Sequence, residues 1–236
     1  MSAIPLKSML DEAGLNRQHV FDLRRLPAEL LTPLSVRGHE RQLILFAHAG
    51  RRLWDRVRTE GIRSADPIDE YSVRTVANWC ARALPRARHR FVYPHGLPEG
   101  RHLGLQRLGE LAGWHHPAPF RIGIDDRWGS WFAYRAAILV DTDLPATPAQ
   151  DHEHPCHRCI ARTCIAACPG RALDSGDLDL QACQRQRLAE GSPCALACPS
   201  RAACPVGAEH RYDESQVRHG AAVSLAAIRR LAAGGG

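Results

Sequence analysis

Residues 156–168 read CHRCIARTCIAAC and are followed by Pro169. A second stretch follows, with Cys183, the run Cys194-x3-Cys198-Pro199 and the pair Cys204-Pro205. These eight of the nine cysteines match the ligand count of two iron–sulfur clusters, because each [4Fe–4S] cube takes four thiolates. A proline after a cysteine ends the local turn, since it has no backbone N–H. The pattern therefore predicts a bacterial two-[4Fe–4S] ferredoxin-like module.

Two other classes of site fit the cysteine count. A disulfide framework needs an oxidising compartment, and the segment Met1–Pro5 has no charged-then-apolar signal pattern. Two structural zinc sites would take the same thiols, but zinc ribbons usually present two Cys-x2-Cys knuckles and this chain has one. Four residues, not two, separate Cys159 from Cys164, which departs from the plain ferredoxin run. The iron–sulfur interpretation is favoured, and zinc is the alternative.

The length and composition predict a chain of two domains without a membrane partner. The chain has 236 residues, a net charge of +6, an excess of arginine and a single lysine, Lys7. This charge permits an anionic partner, although an ordinary basic surface explains it better, because no dense basic stretch stands out. No apolar run approaches the ~20 residues that span a bilayer. The expected location is therefore the cytoplasm.

The hydrophobic pattern predicts an α/β or α+β domain over residues 1–145 and a cysteine-rich domain with a C-terminal helix over residues 146–236. Short apolar runs predict strands at 43–47, 89–93 and 131–140, and spacing predicts helices at 67–84, 99–112 and 214–233. Residues 1–40 are expected to form helical pieces, interrupted by prolines. The proline-rich stretch 141–155 is typical of a linker.

The sequence resembles two families at several of its motifs. Residues 128–132 (WGSWF), 141–145 (DTDLP) and the eight cysteines resemble epoxyqueuosine reductase. Residues 66–69 (DPID), 111–113 (LAG), 123–124 (GI) and 129–135 (GSWFAYR) resemble the CblC-type cobalamin-processing family. Together the two resemblances cover about residues 40 to 205 and indicate a cobalamin-binding iron–sulfur protein that lies between the families.

The resemblance implies a nitroreductase-like α/β domain that binds a corrinoid. The implied cofactor-binding residues are Gly113, Trp114, Gly129, Ser130, Trp131 and Arg135. Glycine suits such a pocket because a flat macrocycle needs close approach of the backbone. The alternative is that Gly129 and Ser130 form an ordinary turn before a strand.

The resemblance also divides the eight thiols between the two clusters. One set of ligands is Cys156, Cys159, Cys164 and Cys204. The other is Cys168, Cys183, Cys194 and Cys198. The ninth cysteine, Cys80, falls on the apolar face of the helix predicted after Asp66, where a buried small hydrophobe is expected rather than a ligand.

Three residues are candidates for catalysis. Arg135 interrupts an apolar strand, so it must be paired or face a polar cavity; the matching arginine of CblC-type proteins helps to bind glutathione. Here it could contact a corrinoid amide or an anionic substrate, and a structural salt bridge is an equal alternative. Glu99 and Tyr134 are the candidate proton donors if the substrate is organic.

The favoured function is an electron relay from an external ferredoxin or flavodoxin, through two [4Fe–4S] clusters, to the cobalt of cobalamin. Its outcome would be reductive removal of the upper ligand, such as cyanide or an alkyl group. One alternative is a cobalamin-dependent reductase of an organic substrate, epoxyqueuosine-like or dehalogenase-like. Others are a corrinoid carrier or electron-transfer protein without enzymatic activity, and a zinc-binding interaction module. A tRNA partner is possible but not favoured, because Glu99 or its neighbours replace the proton-donor aspartate of epoxyqueuosine reductase.

Overall fold

The computed structural model describes residues 4–234. Residues 1–3, on which the expectation about a signal segment partly depends, and residues 235–236 lie outside that range. Among the described residues, no helix is long and apolar enough to cross a membrane. The chain forms two compact units: Met1–His115 with Phe132–Asp151, and His116–Trp131 with His152–Gly236. Residues 116–131 thus group with the cysteine-rich half, and the division into domains at residue 145 stays a prediction.

A four-stranded antiparallel sheet forms the first unit, in the order β1-β2-β4-β3. The strands are β1 (Arg17–Asp22), β2 (Gln42–Ala49), β3 (His89–Tyr93) and β4 (Phe132–Val140). The three predicted strands are confirmed as β2, β3 and β4. Every residue of β2 is buried, because the strand lies inside the sheet between two apolar layers.

The expectation of helical pieces over residues 1–40 is wrong at β1. The described part of this stretch, residues 4–40, contains α1 (Lys7–Glu12), α2 (Ala28–Leu31) and two short 3₁₀ turns beside the strand. Residues of β1 pair with β2, and Val20 on its other edge exchanges backbone and side-chain hydrogen bonds with Thr147, each at 3.0 Å. The polar residue Arg17 is buried and reaches Gln150 at 3.2 Å. Pairing on both edges therefore stabilises a strand that has little apolar pattern.

Three further helices complete the first unit: α3 (Arg52–Thr59), α4 (Pro67–Ala83) and α5 (Leu105–Leu111). The predicted start of α4 is confirmed, with Pro67 in the first turn, where its missing N–H costs no helical hydrogen bond. Cys80 is fully buried on the apolar face of this helix, as expected. By contrast, α5 is shorter than predicted, since Gly100 adopts a left-handed φ of +76° and Gly104, directly before the helix, has a non-helical ψ of 69°.

Apolar side chains cover both faces of the sheet. One layer packs α4 against β2 and β4 and contains Phe46 and Trp79, whose ring centroids lie 5.5 Å apart. The other layer packs α5 against the opposite face and contains Leu45, Leu108 and Trp114. Burial on two faces gives this unit a hydrophobic core of its own.

The second unit consists of short helices and loops. Its helices are α6 (Thr163–Ala166), α7 (Leu180–Leu188), α8 (Pro199–Ala203) and α9 (Glu214–Gly234). Short 3₁₀ turns occur in both units, at Leu23–Arg25, Thr32–Leu34, Pro155–His157 and Ala208–His210. The apolar cluster of the second unit is small and includes two of the cysteines themselves: Ala118, Phe120, Ile124, Cys164, Leu173 and Cys204.

Candidate functional site

The thiols of the second unit interact electrostatically in two sets. Burial, followed by the charges of Cys204, Cys164 and Cys159, raises the pKa of Cys156 to about 11. Burial and then Cys204 likewise raise the pKa of Cys164. We call Cys156, Cys159, Cys164 and Cys204 the first thiol group. Its membership fits one of the two predicted ligand sets.

The remaining four thiols, Cys168, Cys183, Cys194 and Cys198, are the second thiol group. Burial and then Cys198 raise the pKa of Cys183 and of Cys194, and Cys168 contributes to both shifts. This membership fits the other predicted ligand set. Among the residues that the structure describes, no three His, Cys, Asp or Glu side chains form a group that could hold a metal ion. The assignment of a cluster to each group stays a prediction.

Arginines lie close to both thiol groups. Their positive charges oppose the rise in pKa: Arg162 acts on Cys156, Arg211 on Cys204 and Arg187 on Cys183. The Arg187 guanidinium also donates to the carbonyl oxygens of Cys194 (3.3 Å) and Ala221 (2.9 Å). These contacts tie the loop of the second thiol group to α9 and place positive charge beside thiols that would carry negative charge as ligands.

Helix α8 connects the two thiol groups directly. Cys198, of the second group, is the residue before the helix, and Cys204, of the first group, is the residue after it. Pro199 occupies the first helical turn, where proline is well tolerated. Thr163, at the start of α6, donates its hydroxyl to the carbonyl oxygen of Ala203 at 2.8 Å. The helix is thus bounded by one thiol of each group and fastened to the helix that carries Cys164.

Gly129 lies where two backbone segments of the second unit cross. Its φ is +57°, and a Cβ at this position would collide with the carbonyl oxygen of Val206. Gly207 is the partner in this crossing, since its Cβ would collide with the backbone of Trp128 and Gly129. The chain's own backbone therefore explains the glycine at 129, and a macrocycle is not needed to explain it.

Ser130 and Trp131 are buried next to Arg201 of α8. The Arg201 guanidinium donates to the hydroxyl of Ser130 at 3.2 Å and to its carbonyl oxygen. Its central carbon lies 4.3 Å from the centre of the Trp131 ring and 5.0 Å from that of Tyr212. The indole nitrogen of Trp131 is buried and has no hydrogen-bond partner among the described residues. Sequence reasoning missed Arg201, because nothing local distinguishes it from the other arginines.

Gly113 and Trp114 belong to the first unit. Gly113 ends α5 with a φ of +73°, as predicted, and a Cβ there would collide with the backbone of Gln150. Trp114 is buried under the guanidinium of Arg17, at 4.7 Å from the ring centre. The predicted corrinoid-binding residues therefore lie in both units, and their role stays a prediction.

Arg135 faces a polar group rather than apolar side chains. Its Nε donates to Nδ1 of His48 at 2.9 Å, and His48 is fully buried on β2. Burial raises the pKa of Asp69, against the opposing charge of Arg135. Burial also raises the pKa of Tyr93, and Arg135 opposes this shift too. Arg135 thus belongs to a half-buried polar cluster, of which the sequence identified one member.

The two candidate proton donors have different surroundings. The Tyr134 hydroxyl lies 3.3 Å from Nδ1 of His115 and packs so closely on α5 that a Cβ at Gly109 would collide with it. Glu99 is exposed. Nearby, a cavity of about 450 Å³ in the first unit is lined by ten residues that include Tyr93, His95, Arg101 and His102.

Histidines gather beside the first thiol group. The His154 ring lies 5.0 Å from that of His116 and 4.6 Å from that of His157, between ring centres. Nδ1 of His154 accepts from the backbone N–H of Cys156 at 3.2 Å. Burial, then His116 and His157, lower the pKa of His154. His154 therefore supports the turn that carries Cys156, which fits the interpretation of these histidines as a polar loop.

No family model matches the chain, and no curated protein sequence matches it. Several solved structures match the chain. An epoxyqueuosine reductase with an epoxyqueuosine-modified tRNA-Tyr stem loop matches with a TM-score of 0.53 and 14% identity, over 89% of this chain and 68% of its own. The Bacillus subtilis epoxyqueuosine reductase matches with a TM-score of 0.51 and 14% identity, over 88% of this chain and 66% of its own.

The B12-trafficking protein CblC of C. elegans, a homologue of human MMACHC, matches with a TM-score of 0.52 and 12% identity, over 87% of this chain and 84% of its own. This chain shares their fold. The structural neighbours thus include both families that the sequence resembles, although the identities are low. The chain spans about two thirds of the length of the epoxyqueuosine reductases.

Proposed function

We propose that this protein is a cobalamin-dependent iron–sulfur reductase. The observation that carries the proposal is the gathering of eight free thiols in the second unit, with α8 bounded by Cys198 and Cys204; their mutual effects on pKa sort these thiols into two groups of four. This sorting occurs in a chain whose fold is shared by proteins named as reductases and as a B12-trafficking protein. We assign one [4Fe–4S] cluster to each thiol group.

The second unit has the kind and number of donors that this cofactor takes, eight free thiols for two cubes. Four neighbouring thiols cannot all ionise without a compensating cation, because each negative charge raises the pKa of the others. Iron supplies that cation, and four thiolates complete each cube. Arg162, Arg187 and Arg211 would offset the remaining negative charge, which tunes the reduction potential. In this assignment the clusters supply one-electron transfer, and the protein sets their position and charge.

One buried donor fits a corrinoid. The indole N–H of Trp131 lacks a partner among residues 4–234, and a buried donor costs free energy unless an acceptor satisfies it. Amide oxygens at the edge of a corrinoid are acceptors of this kind. A bound corrinoid would supply the cobalt centre at which reduction and loss of an upper ligand occur. Gly113 and Gly129 contribute less to this fit, since backbone collisions within the chain account for them.

In this proposal Arg135 binds and orients the corrinoid or the substrate, and His48 holds the Arg135 side chain in place. The imidazole accepts from one nitrogen of the guanidinium, which fixes the plane of the remaining donors. Arg135 is then placed to bind a corrinoid amide or an anionic substrate. We propose reductive removal of the upper ligand, cyanide or alkyl, as the reaction, with an external ferredoxin or flavodoxin as the electron donor.

A reductase of an organic substrate is the second candidate. The cavity of about 450 Å³ favours it, because Tyr93, His95, Arg101 and His102 give it both hydrogen-bond donors and positive charge. Glu99 or Tyr134 would donate the proton in this case. Tyr134 is the less accessible of the two, since its hydroxyl lies against His115 and α5. tRNA stays a possible substrate, because one similar reductase is solved with a tRNA stem loop.

The test is a visible spectrum of the anaerobically reconstituted protein, titrated with cyanocobalamin and then with a low-potential reductant. We expect a brown protein that converts the corrinoid to its reduced, base-off form with loss of cyanide. A colourless protein that holds zinc, or a brown protein that leaves the corrinoid spectrum unchanged, would refute the proposal. Retention of the corrinoid after turnover would favour the organic substrate.

Cysteine variants test the cluster assignment. Cys183→Ser should remove about half of the roughly eight iron atoms that two cubes contain. Cys80→Ala is the matched control, because Cys80 is a buried cysteine outside both thiol groups. We expect it to keep the full iron content. Equal iron loss in the two variants would contradict the assignment.

A further inference from the structure

Helix α8 has a position that depends on both of its ends. It contains five residues, Pro199–Ala203, and a helix of this length is not stable by itself in water. The flanking residues are Cys198 and Cys204, which belong to different thiol groups. If both thiol groups hold clusters, metal bonds fix both ends of the helix. If either cluster is missing, one end is held only by packing and by hydrogen bonds such as that from Thr163 to Ala203.

Arg201 lies in the middle of this helix and holds the segment Ser130–Trp131. One edge of its guanidinium donates to the hydroxyl and the carbonyl oxygen of Ser130. The rings of Trp131 and Tyr212 both lie against it, with distances of 4.3 and 5.0 Å from its central carbon to the ring centres. A planar guanidinium can stack on aromatic rings and donate from its edge at the same time, which a lysine ammonium cannot do. A shift of α8 must therefore disturb Trp131.

We infer that Arg201 is a positioning residue that makes the placement of Trp131 depend on metal in both thiol groups. The two-cluster protein then presents the Trp131 indole N–H in one fixed orientation, whereas protein that lacks either cluster does not. This inference rests on the proposed function for the cluster in each thiol group, and its consequence for ligand binding rests also on the proposed corrinoid. The consequence is that corrinoid binds the two-cluster protein more tightly than the protein with one cluster or none.

The first test observes Trp131 without any corrinoid. The chain has five tryptophans, so 5-fluorotryptophan labelling gives a small ¹⁹F spectrum in which Trp131→Phe identifies one resonance. We expect that resonance to be single and shifted in the two-cluster protein. It should revert to its metal-free position and width in Cys198→Ser and in Cys204→Ser. An unchanged Trp131 resonance between metal-free and two-cluster protein would overturn the inference.

The second test separates the contribution of Arg201 to the placement of Trp131 from that of the clusters. Arg201→Lys keeps the charge but loses the planar stacking and the paired donors. We expect this variant to retain the iron content and melting temperature of the two-cluster protein, while its Trp131 resonance resembles that of the metal-free protein. Arg230→Lys is the control, because Arg230 is exposed on α9, and it should behave as the unmodified chain. A normal Trp131 resonance in Arg201→Lys would show that the crossing at Gly129 and Gly207 alone holds the segment.

Corrinoid affinity distinguishes failure of the inference from failure of the proposed function. Arg201→Lys should weaken binding of cyanocobalamin roughly tenfold, the equivalent of one lost stacking and hydrogen-bonding arrangement. Equal affinities of this variant and the unmodified two-cluster protein would count against the inference. If the unmodified protein binds no corrinoid, the proposed function fails, and the ¹⁹F spectra alone decide the role of Arg201.

Discussion

The two units of this chain contain very different amounts of apolar core. The first unit packs both faces of its sheet, with Phe46, Trp79 and Leu45 fully buried. The second unit buries few large apolar side chains, and two cysteines are part of its apolar cluster. Small, loop-rich folds of this kind usually need metals or disulfides, because their core buries too little apolar surface. The difference shows that hydrophobic burial contributes much less to the second unit than to the first, and the proposed clusters would supply the missing stabilisation there.

Removal of metal should have the largest effect, and it should be confined to the second unit. Where metal ligation organises a fold, the binding free energy is also folding free energy. We therefore expect that iron removal abolishes amide-exchange protection in α6, α7 and α8, while β2 and β4 stay protected. Hydrogen exchange with mass spectrometry on metal-free and reconstituted protein checks this. Full protection of α8 without metal would contradict the prediction that the second unit, unlike the first, depends on metal.

A core substitution in the first unit should lower the free energy of unfolding without removing iron from the second unit. Phe46→Ala removes a fully buried ring that contacts Trp79, and such a loss costs about 3–5 kcal/mol. Denaturant unfolding should show this loss while the iron content stays normal. Val36→Ala is the control, because Val36 is 39% exposed and should cost little. Iron loss in Phe46→Ala would indicate that the two units are not independent in stability.

The pH dependence of the first unit should include a contribution from His19. Burial lowers the pKa of this imidazole to about 4, against about 6.5 in the unfolded chain. The unfolded chain thus binds a proton that the folded chain excludes. The contribution is fully present above about pH 6.5 and is lost as the pH falls through about 4, by at most roughly 3 kcal/mol.

Urea unfolding at pH 7 and pH 5 measures this contribution. The unmodified protein should lose more stability on acidification than His19→Gln does. His89→Gln serves as the control, since His89 is exposed on β3. The same loss on acidification in the His19 and His89 variants would show that burial of His19 does not contribute.

The smallest effect is expected from a surface ion pair. Arg41 and Asp143 lie 2.6 Å apart, but their side chains are 58% and 76% exposed. Exposed pairs contribute about 0–1 kcal/mol. Arg41→Ala should therefore shift the urea midpoint only slightly, and added salt should reduce the shift further. A loss comparable with that of Phe46→Ala would show that surface charge, and not the apolar layers, stabilises the first unit.

Sequence patterns predicted the elements whose formation depends mainly on residues close together in the chain. Apolar runs predicted β2 and β4, because a buried strand must be apolar on both faces. The number and spacing of the cysteines predicted two four-thiol sites, the resemblance to epoxyqueuosine reductase divided the thiols between them, and both stay predictions. The strand β1 was missed, since its residues Arg17, Gln18 and His19 are polar, and only pairing with β2 and Thr147 makes them a strand.

Contacts between residues far apart in the sequence could not be predicted from local patterns. The sequence assigned Gly129, Ser130 and Trp131 to the first domain, whereas the structure groups them with the second unit. The crossing with Gly207 and the contacts of Arg201 explain this grouping. No periodicity signals either feature, because the partners lie about 70 or more residues apart along the chain.

The path of the chain has a consequence for how such a protein can be divided or evolve. The second unit includes residues 116–131, which the chain inserts between two segments of the first unit. Neither unit is therefore encoded by one continuous stretch of gene. A fragment that starts after residue 145 would lack Gly129 and Ser130, which Gly207 and Arg201 contact. A fusion at one end of an existing sheet domain is thus not enough to create this architecture; the sheet domain must also carry the inserted segment.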